Sequence, residues 1–456
     1  MSRVNFWTDT RRSRNRMVVE GRKKRERFGW CLYDWANSAF ATTILAAVLP
    51  IYFAGSVVPK QGVELTLLGY KGCLSATSLW GYASGLTALL IMVSAPVLGG
   101  IADHSNRKKT FLIAFCYSGS VMTTLFFFSG PGDVFYTLFL FCVAHYCFVG
   151  GNVFYDAFLP FLSRGKDMDR LSGQGYALGY FGGGLLLALN VFFIQGSQKI
   201  GVPKEMAVRL SLASAGIWWA LFGTVAFFMF QEERLSDARD TSLCRAVLAG
   251  LLKTWQTTRM ITKYKQILIF LVAYMIYNDG VQTVIKMASI YGKDELHLPT
   301  GTLLGTLLLV QFIGIGGALL MSKIAGRLGT RQTIMGALLI WLGLTIFAYG
   351  MNTSLEYWLL GIVVGVILGG TQALSRSLYG RLIPQEHAAQ FFGYFSVFAK
   401  FSAIWGPIIF AFIRQVTGTA RLSILFLSLF FLTGWILLFF VRVKDADSAR
   451  GSICNT

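Results

Sequence analysis

Apolar residues in this chain gather into long runs, separated by short stretches rich in glycine, proline and charge. Twelve runs are distinguishable, over residues 29–55, 80–102, 110–129, 134–162, 174–196, 208–230, 266–291, 299–321, 332–350, 357–380, 389–413 and 422–441. Each is about 20 residues or longer, the length an α-helix needs to cross a bilayer. The pattern predicts an all-α polytopic membrane protein with twelve transmembrane helices and the lipid bilayer as its solvent. Composition agrees: the chain is 54% hydrophobic and 14% charged, whereas soluble domains carry about 25% charged residues.

The runs divide six and six. A basic tail over 1–28 precedes a first bundle over 29–230. A linker over 231–265 leads to a second bundle over 266–441 and a tail over 442–456. The linker opens with the polar stretch "QEERLSDARDTSLCR". Its second part spaces apolar residues at near-helical intervals between Arg245 and Lys265, which predicts an amphipathic helix on the membrane surface. Internal repetition supports two related halves: "FYDAFLP" (154–160) and "LYGRLIP" (378–384) align Tyr155 with Tyr379 and Pro160 with Pro384. Gly175, Gly179 and Gly183, like Gly361, Gly365 and Gly369, recur every fourth residue. That spacing lines one helix face with hydrogen and predicts close backbone approach.

The net charge of +19 first suggests a nucleic-acid partner, but its distribution excludes one. With the N-terminal tail in the cytoplasm, thirty of the 41 Lys and Arg fall in inside loops and tails and eight outside, with Lys286, Arg376 and Lys400 within helices. This bias is the positive-inside rule and places both termini in the cytoplasm. The tail itself reads as a solvated coil. The first apolar run holds Asp34 and lacks a small-x-small cleavage site, so it reads as a helix rather than a removed signal peptide. Of seven cysteines, only Cys73 falls in an outside loop, so no disulfide framework follows.

The strongest local motif is "GGIADHSNRKK" (99–109), between the second and third runs. Gly99, Asp103, Arg107 and Lys108 match the pattern G-x-x-x-D-[RK]-x-G-[RK]-[RK]. The glycine permits close packing, and the aspartate can accept from a helix N-terminus or an arginine of the other half. An ordinary basic loop would explain the cations but not the glycine and aspartate at their spacing. The motif resembles the signature loop of major facilitator transporters, although His104 replaces the usual cation and Asn106 the usual glycine. The corresponding second-half loop, "SKIAGRLGTR" (322–331), keeps Arg327, Gly329 and Arg331 but has Gly326 where an aspartate is common. An asymmetric latch is the expectation.

A narrower resemblance runs through both halves. "YDWANSAFATTI", "SAPVLGGIADHSNRKK", "GYALGYFGGG", "GGTQALSRSLYGRLIP" and "FFGYFSVFAKFSAIWGP" are similar to blocks of the branch that contains the vacuolar amino-acid effluxers of fungal autophagy and their bacterial relatives. The resemblance implies a major facilitator carrier with amino-acid substrates. The compact loops look more like a bacterial member, which implies the bacterial cytoplasmic membrane.

Charges inside the runs are the candidate chemistry. Asp34, Asp156, Asp279, Lys286, Arg376 and Lys400 each cost several kcal/mol in a bilayer unless paired or hydrated. Three acids and three bases can balance across a central cavity, which in the resembled fold is lined by helices 1, 4, 7 and 10. Asp34 lies about 9 Å from the start of the first run. Asp156 and Arg376 lie near the inner ends of theirs, so with Asp34 or Lys400 they are expected to form an inner gate. Asp279, followed by Gly280, is the candidate proton or substrate-amine site, with Asn278 and Gln282 as hydrogen-bonding neighbours and Lys286 on roughly the same face. A permanent Asp279–cation pair that holds helices together is the alternative. His145 can relay protons or simply pack. Asn37, Gln174, Asn190, Gln311 and Gln372 can read a polar solute or bond between helices. Trp35, Tyr155, Tyr180 and Tyr277 lie near enough in sequence to these groups to form a pocket.

No G-x-x-x-x-G-K-[ST] loop occurs, so the sequence offers no site for direct ATP hydrolysis. No cofactor is implied, and the four histidines and seven cysteines are too scattered for a metal site. An enzyme would need catalytic groups concentrated at one membrane face, and none are. The expectation is a secondary carrier for a small-molecule solute, a neutral amino acid first, driven by a proton or by sodium. Export of drug-like compounds or metabolites, and a non-transporting receptor, are the alternatives. Oligomeric state has no signature in the sequence.

Overall fold

The fold was obtained as a computed structural model, which describes residues 2–67, 70–74, 76–105, 107–229, 264–402 and 405–442. Among these residues, twelve helices are long and apolar enough to span a membrane: α1 Glu20–Val57, α2 Leu79–Asp103, α3 Lys108–Phe128, α4 Val134–Leu162, α5 Lys166–Ile200, α6 Lys204–Met229, α7 Lys265–Ala288, α8 Gly305–Leu328, α9 Thr330–Gly350, α10 Ser354–Leu382, α11 Gln385–Arg414 and α12 Ala420–Phe439. Within the first six, α1 packs on α5 and α6, and α3 packs on α4 and α6. Within the second six, α8 packs on α10, and α12 packs on α7 and α9. The halves meet along two helix pairs, α2 with α11 and α5 with α8.

Glycine sets both interfaces. A Cβ on Gly99 would meet the backbone carbonyl of Ala389, and one on Gly393 would lie 2.6 Å from the Ala95 carbonyl, so α2 and α11 touch backbone to backbone. On the other pair, a Cβ on Gly173 would collide with Ser322. The every-fourth glycines act similarly: Gly175, Gly179 and Gly183 carry α5 along α1, while Gly361 and Gly365 press α10 against α8. Such contacts substitute for the hydrophobic driving force that is absent between helices in lipid.

Helix ends are closed locally. Thr353 caps α10 through a capping box with Glu356, whose carboxylate accepts from the Asn352 and Thr353 N–H groups at 2.7 and 2.8 Å. Between α8 and α9 the chain turns at Gly329 with φ of 95°, a backbone region that glycine enters without steric cost.

Four features differ from the sequence expectation. The helix that includes α1 begins at Ser2, so the basic tail is helical rather than coiled. The backbone of α1 widens into π turns over Phe40–Ala47 and Phe53–Val57. A hairpin of β1 Val63–Leu67 and β2 Tyr70–Leu74 joins α1 to α2. Finally, α11 comprises two described segments, Ala388–Phe401 and Trp405–Thr417. The expected linker helix and most of the C-terminal tail, like Asn106, lie outside the described residues.

Candidate functional site

Between the halves lies a cavity of about 380 Å³ whose walls come from α1, α4, α5, α7, α8 and α10. That volume suits a small organic solute. Asp34 and Asn37 of α1, Asp156 of α4, Gln282 of α7, and Gln372 and Arg376 of α10 all face it.

Arg376 closes one end. Its side chain is almost wholly buried, and its Nη1 donates to Asp156 Oδ1 at 3.1 Å and approaches Asp34 Oδ2 at 3.4 Å. Nε donates to Ser172 Oγ at 3.0 Å, and Nη2 donates to the Ser172 carbonyl at 3.1 Å. Three rings surround the guanidinium, with centroids 4.4 Å away for Tyr176, 4.8 Å for Trp30 and 5.5 Å for Tyr155. Such a planar cation over aromatic faces gains electrostatic stabilisation that is larger when desolvated. Space for the cluster depends on Gly175, where a Cβ would lie 2.7 Å from Asp34 Oδ2 and 3.1 Å from Arg376 Nη2.

The rest of the lining carries no further charge and mixes polar groups with Ala41 and Phe148. Asn37 donates to Asn152 at 2.8 Å, tying α1 to α4. Tyr180 reaches Gln372 across the halves at 3.4 Å, and Gln282 and Gln311 complete the lining. Tyr155 and Tyr180 face the cavity, whereas Trp35 stacks on Trp218 and Tyr277 bonds Ser375. Asn190 bonds to α6 rather than to the cavity.

Asn278, Asp279 and Lys400 are placed elsewhere. Asp279 Oδ1 accepts from the Gly406 N–H at 2.9 Å, at the start of the second α11 segment. Asn278 donates to Ser402 Oγ at 2.5 Å, at the end of the first. A helix N-terminus exposes N–H groups that a carboxylate can cap, which accounts for the position of Asp279. Lys400 lies with its Nζ 3.3 Å from His145 Nε2, away from Arg376. Lys286 is exposed one turn beyond Gln282 on α7.

The loop motif forms a second inter-half contact. Asp103 accepts from the N–H groups of Ala389 at 3.3 Å and Gln390 at 2.9 Å, at the start of the first α11 segment. Lys108 pairs with the same carboxylate at 2.8 Å and stacks over Phe161. Arg107 is exposed just before α3. In the other half, a Cβ added to Gly326 would meet open space. The carboxylate there comes from α5: buried Asp169 accepts from Thr330 Oγ1 at 2.8 Å and also binds Ser377 and Arg381. Sequence reasoning missed Asp169 because "KDMDR" reads as ordinary loop charge. It also missed Ser172 and Tyr176, whose only signal is their position one turn apart beside Gly175.

Comparison with known proteins adds to this geometry. The model of the family described as "Vacuole effluxer Atg22 like" matches residues 22–168 and 164–450. The MFS-type transporter YxiO of Bacillus subtilis is 31% identical over 414 residues, covering 90% of this chain and 94% of that protein. Autophagy-related protein 22-2 of Aspergillus clavatus is 23% identical over 537 residues, covering 89% and 87%. Among solved structures, the proton:xylose symporter XylE aligns with a TM-score of 0.67 at 14% identity, over 94% of this chain and 97% of its own. The major facilitator transporter FucP in its outward conformation gives 0.67 at 14% identity, over 92% and 99%. These last two likenesses establish the fold alone.

Proposed function

We propose, because this chain belongs to the Atg22-like vacuole effluxer family of major facilitator transporters, that it is a secondary active carrier moving a neutral amino acid by alternating access. The observation that carries the reading is the polar cavity between the halves, closed at one end by the Arg376–Asp34–Asp156 cluster. Its position at the interface of two helix bundles is where carriers of this architecture bind their solutes.

The same cluster is proposed as the inner gate. The inter-half hydrogen bonds of Asp103, Asp169 and Arg376 all lie toward the end bearing the basic loops. The excess of Lys and Arg on that side supports a cytoplasmic assignment, with both termini there. The described arrangement then corresponds to a carrier closed toward the cytoplasm. Opening inward requires Arg376 to release Asp34 and Asp156, which sit on helices of the other half. The B. subtilis relative favours the bacterial cytoplasmic membrane.

A proton is the proposed driver, since Asp34, Asp156 and Asp279 are carboxylates able to exchange one. Uptake of labelled amino acids by proteoliposomes, with and without an imposed pH gradient, tests both parts. Saturable, gradient-stimulated flux of one amino acid is expected. Absence of flux for every amino acid in folded preparations would overturn the substrate assignment. Flux stimulated only by a sodium gradient would overturn the proton.

A further inference from the structure

The cavity between the halves is unequally charged. Its lining holds two carboxylates, Asp34 and Asp156, against one cation, Arg376. With all three ionised, one negative charge is left over, and a partly buried charge calls for a counter-ion and donors. The hydrogen bonds show where the surplus lies. Arg376 commits Nε to the Ser172 hydroxyl, Nη1 to Asp156 and Asp34, and Nη2 to the Ser172 carbonyl and Asp34. No guanidinium N–H is left over. Arg376 therefore has no donor to offer a solute's carboxylate unless it first gives up a partner.

The carboxylates are less fully used. Asp34 accepts through Oδ2 and Asp156 through Oδ1; among the described residues no hydrogen bond reaches Asp34 Oδ1 or Asp156 Oδ2. Both side chains stay 14% exposed while lining the cavity, and neither unused oxygen is sealed off. Tyr155, in the same lining and with its ring over Arg376, is 1% exposed, and its hydroxyl has no hydrogen-bond partner. Unused acceptors thus gather at this end of the cavity, in want of a donor. Elsewhere in the lining, Gln282 and Gln311 present amides that make no hydrogen bond to the described residues. An amide both donates and accepts, so that part of the site takes a carboxylate, an amide or a hydroxyl alike.

We propose that Asp34 Oδ1 and Asp156 Oδ2 form the subsite for a protonated amine of the solute, and that the carrier recognises its solute by this ammonium rather than by a carboxylate. The assignment deepens the carrier reading and rests on it. An ammonium has donors only and one positive charge, which matches the open acceptors and the surplus negative charge together. A solute carboxylate finds no uncommitted cation in the lining, and beside Asp34 and Asp156 it meets like charge. Docking there also bears on the gate. Nη1 of Arg376 stands 3.4 Å from Asp34 and 3.1 Å from Asp156. Asp34 is the more loosely held carboxylate, and the one that an ammonium draws off first. Solute binding thereby weakens a contact that opening inward must break.

The test is ligand-induced thermal stabilisation of the full-length protein in detergent at matched ionic strength. The probes are L-leucine, leucinamide, 3-methylbutylamine and 4-methylpentanoate, with the corresponding sets for alanine and phenylalanine. Only the last compound of each set lacks an ammonium group. The ammonium compounds are expected to raise Tm and the simple carboxylates not. In Asp34→Asn the apparent Kd for the amines should rise about tenfold or more, because the amide keeps the shape and drops the charge. Equal stabilisation by carboxylates and amines, no response to any ammonium compound, or unchanged amine affinity in Asp34→Asn would each overturn the subsite. Should Asp34→Asn fail to fold, the wild-type ranking and the affinity of Asp156→Asn decide the same question. Amine binding that depends on Asp34, without flux of any probe in proteoliposomes, would sink the carrier reading and leave the subsite standing. Saturable amino-acid flux with no binding of the amines would do the reverse.

Discussion

Arg376 of α10 and Asp156 of α4 belong to opposite halves of the protein, and their side chains meet at 3.1 Å. The same guanidinium approaches Asp34 and bonds twice to Ser172. Removing it would strand two partly buried carboxylates, and breaking one partner of a buried pair costs about 3–5 kcal/mol. Arg376→Gln should therefore lower Tm in detergent substantially. Arg376→Lys should recover only part of the loss, because an ammonium cannot match the planar fork or its ring contacts. Full recovery by lysine would mean that charge alone, without the fork, holds the cluster together.

Gly99 controls how closely α2 and α11 approach. A methyl group there would meet the Ala389 carbonyl, and the backbone on both sides leaves little freedom to yield. Overpacking of this kind costs about 1–3 kcal/mol. It also lengthens the Asp103 bonds to Ala389 and Gln390. Gly99→Ala should raise thiol labelling of a cysteine introduced near Gly393, by a reagent applied from the basic-loop face. Labelling no faster than in the parent would show that this interface is not tensioned by the glycine.

Asp169 supplies a third inter-half contact from the unexpected side, α5 rather than the loop after α8. Asp169→Ala leaves Thr330, Ser377 and Arg381 without their shared acceptor. Orphaned buried donors cost about 1–3 kcal/mol, so Tm should fall. Adding Gly326→Asp tests whether the contact can be moved: a carboxylate placed on the loop should restore part of the loss if it reaches the α5 end. No change in Tm for Asp169→Ala would show that water replaces the carboxylate freely.

What can be read from sequence, and what cannot, follows from distance along the chain. The spans follow from apolar run length, a local property, and the glycine stripes from local spacing. The pairing of Asp34, Asp156 and Arg376 is legible because isolated charges in apolar runs must find each other. Asp169 is not, since its partners lie up to 212 residues away and it stands where loop charge is normal. Asp279 and Gln282 differ by about 60° around α7. That is enough for one to face α11 and the other the cavity, and the break in α11 that Asp279 caps has no sequence signal. The hairpin between α1 and α2 escapes a sequence reading because its strands are short and lie within a loop.

Glu295, in the segment that follows α7, gives a prediction about pH. It accepts from Thr419 Oγ1 and the Ala420 N–H at 2.8 Å each, and Arg421 lies 3.5 Å away. Partial burial pushes its carboxyl up, but the Ala420 N–H, the Thr419 hydroxyl and Arg421 outweigh this and hold it below the usual glutamate value. A carboxyl lowered in the folded state contributes stability that is complete above its unfolded pKa and is lost as pH falls through the folded one. Wild type should therefore exceed Glu295→Gln in Tm at pH 7, and the gap should close on acidification below about pH 4. Because the group is partly exposed, the difference should be only a few tenths to about 1 kcal/mol. A gap that persists unchanged at pH 3 would mean the glutamate acts by packing against the start of α12 rather than by its charge.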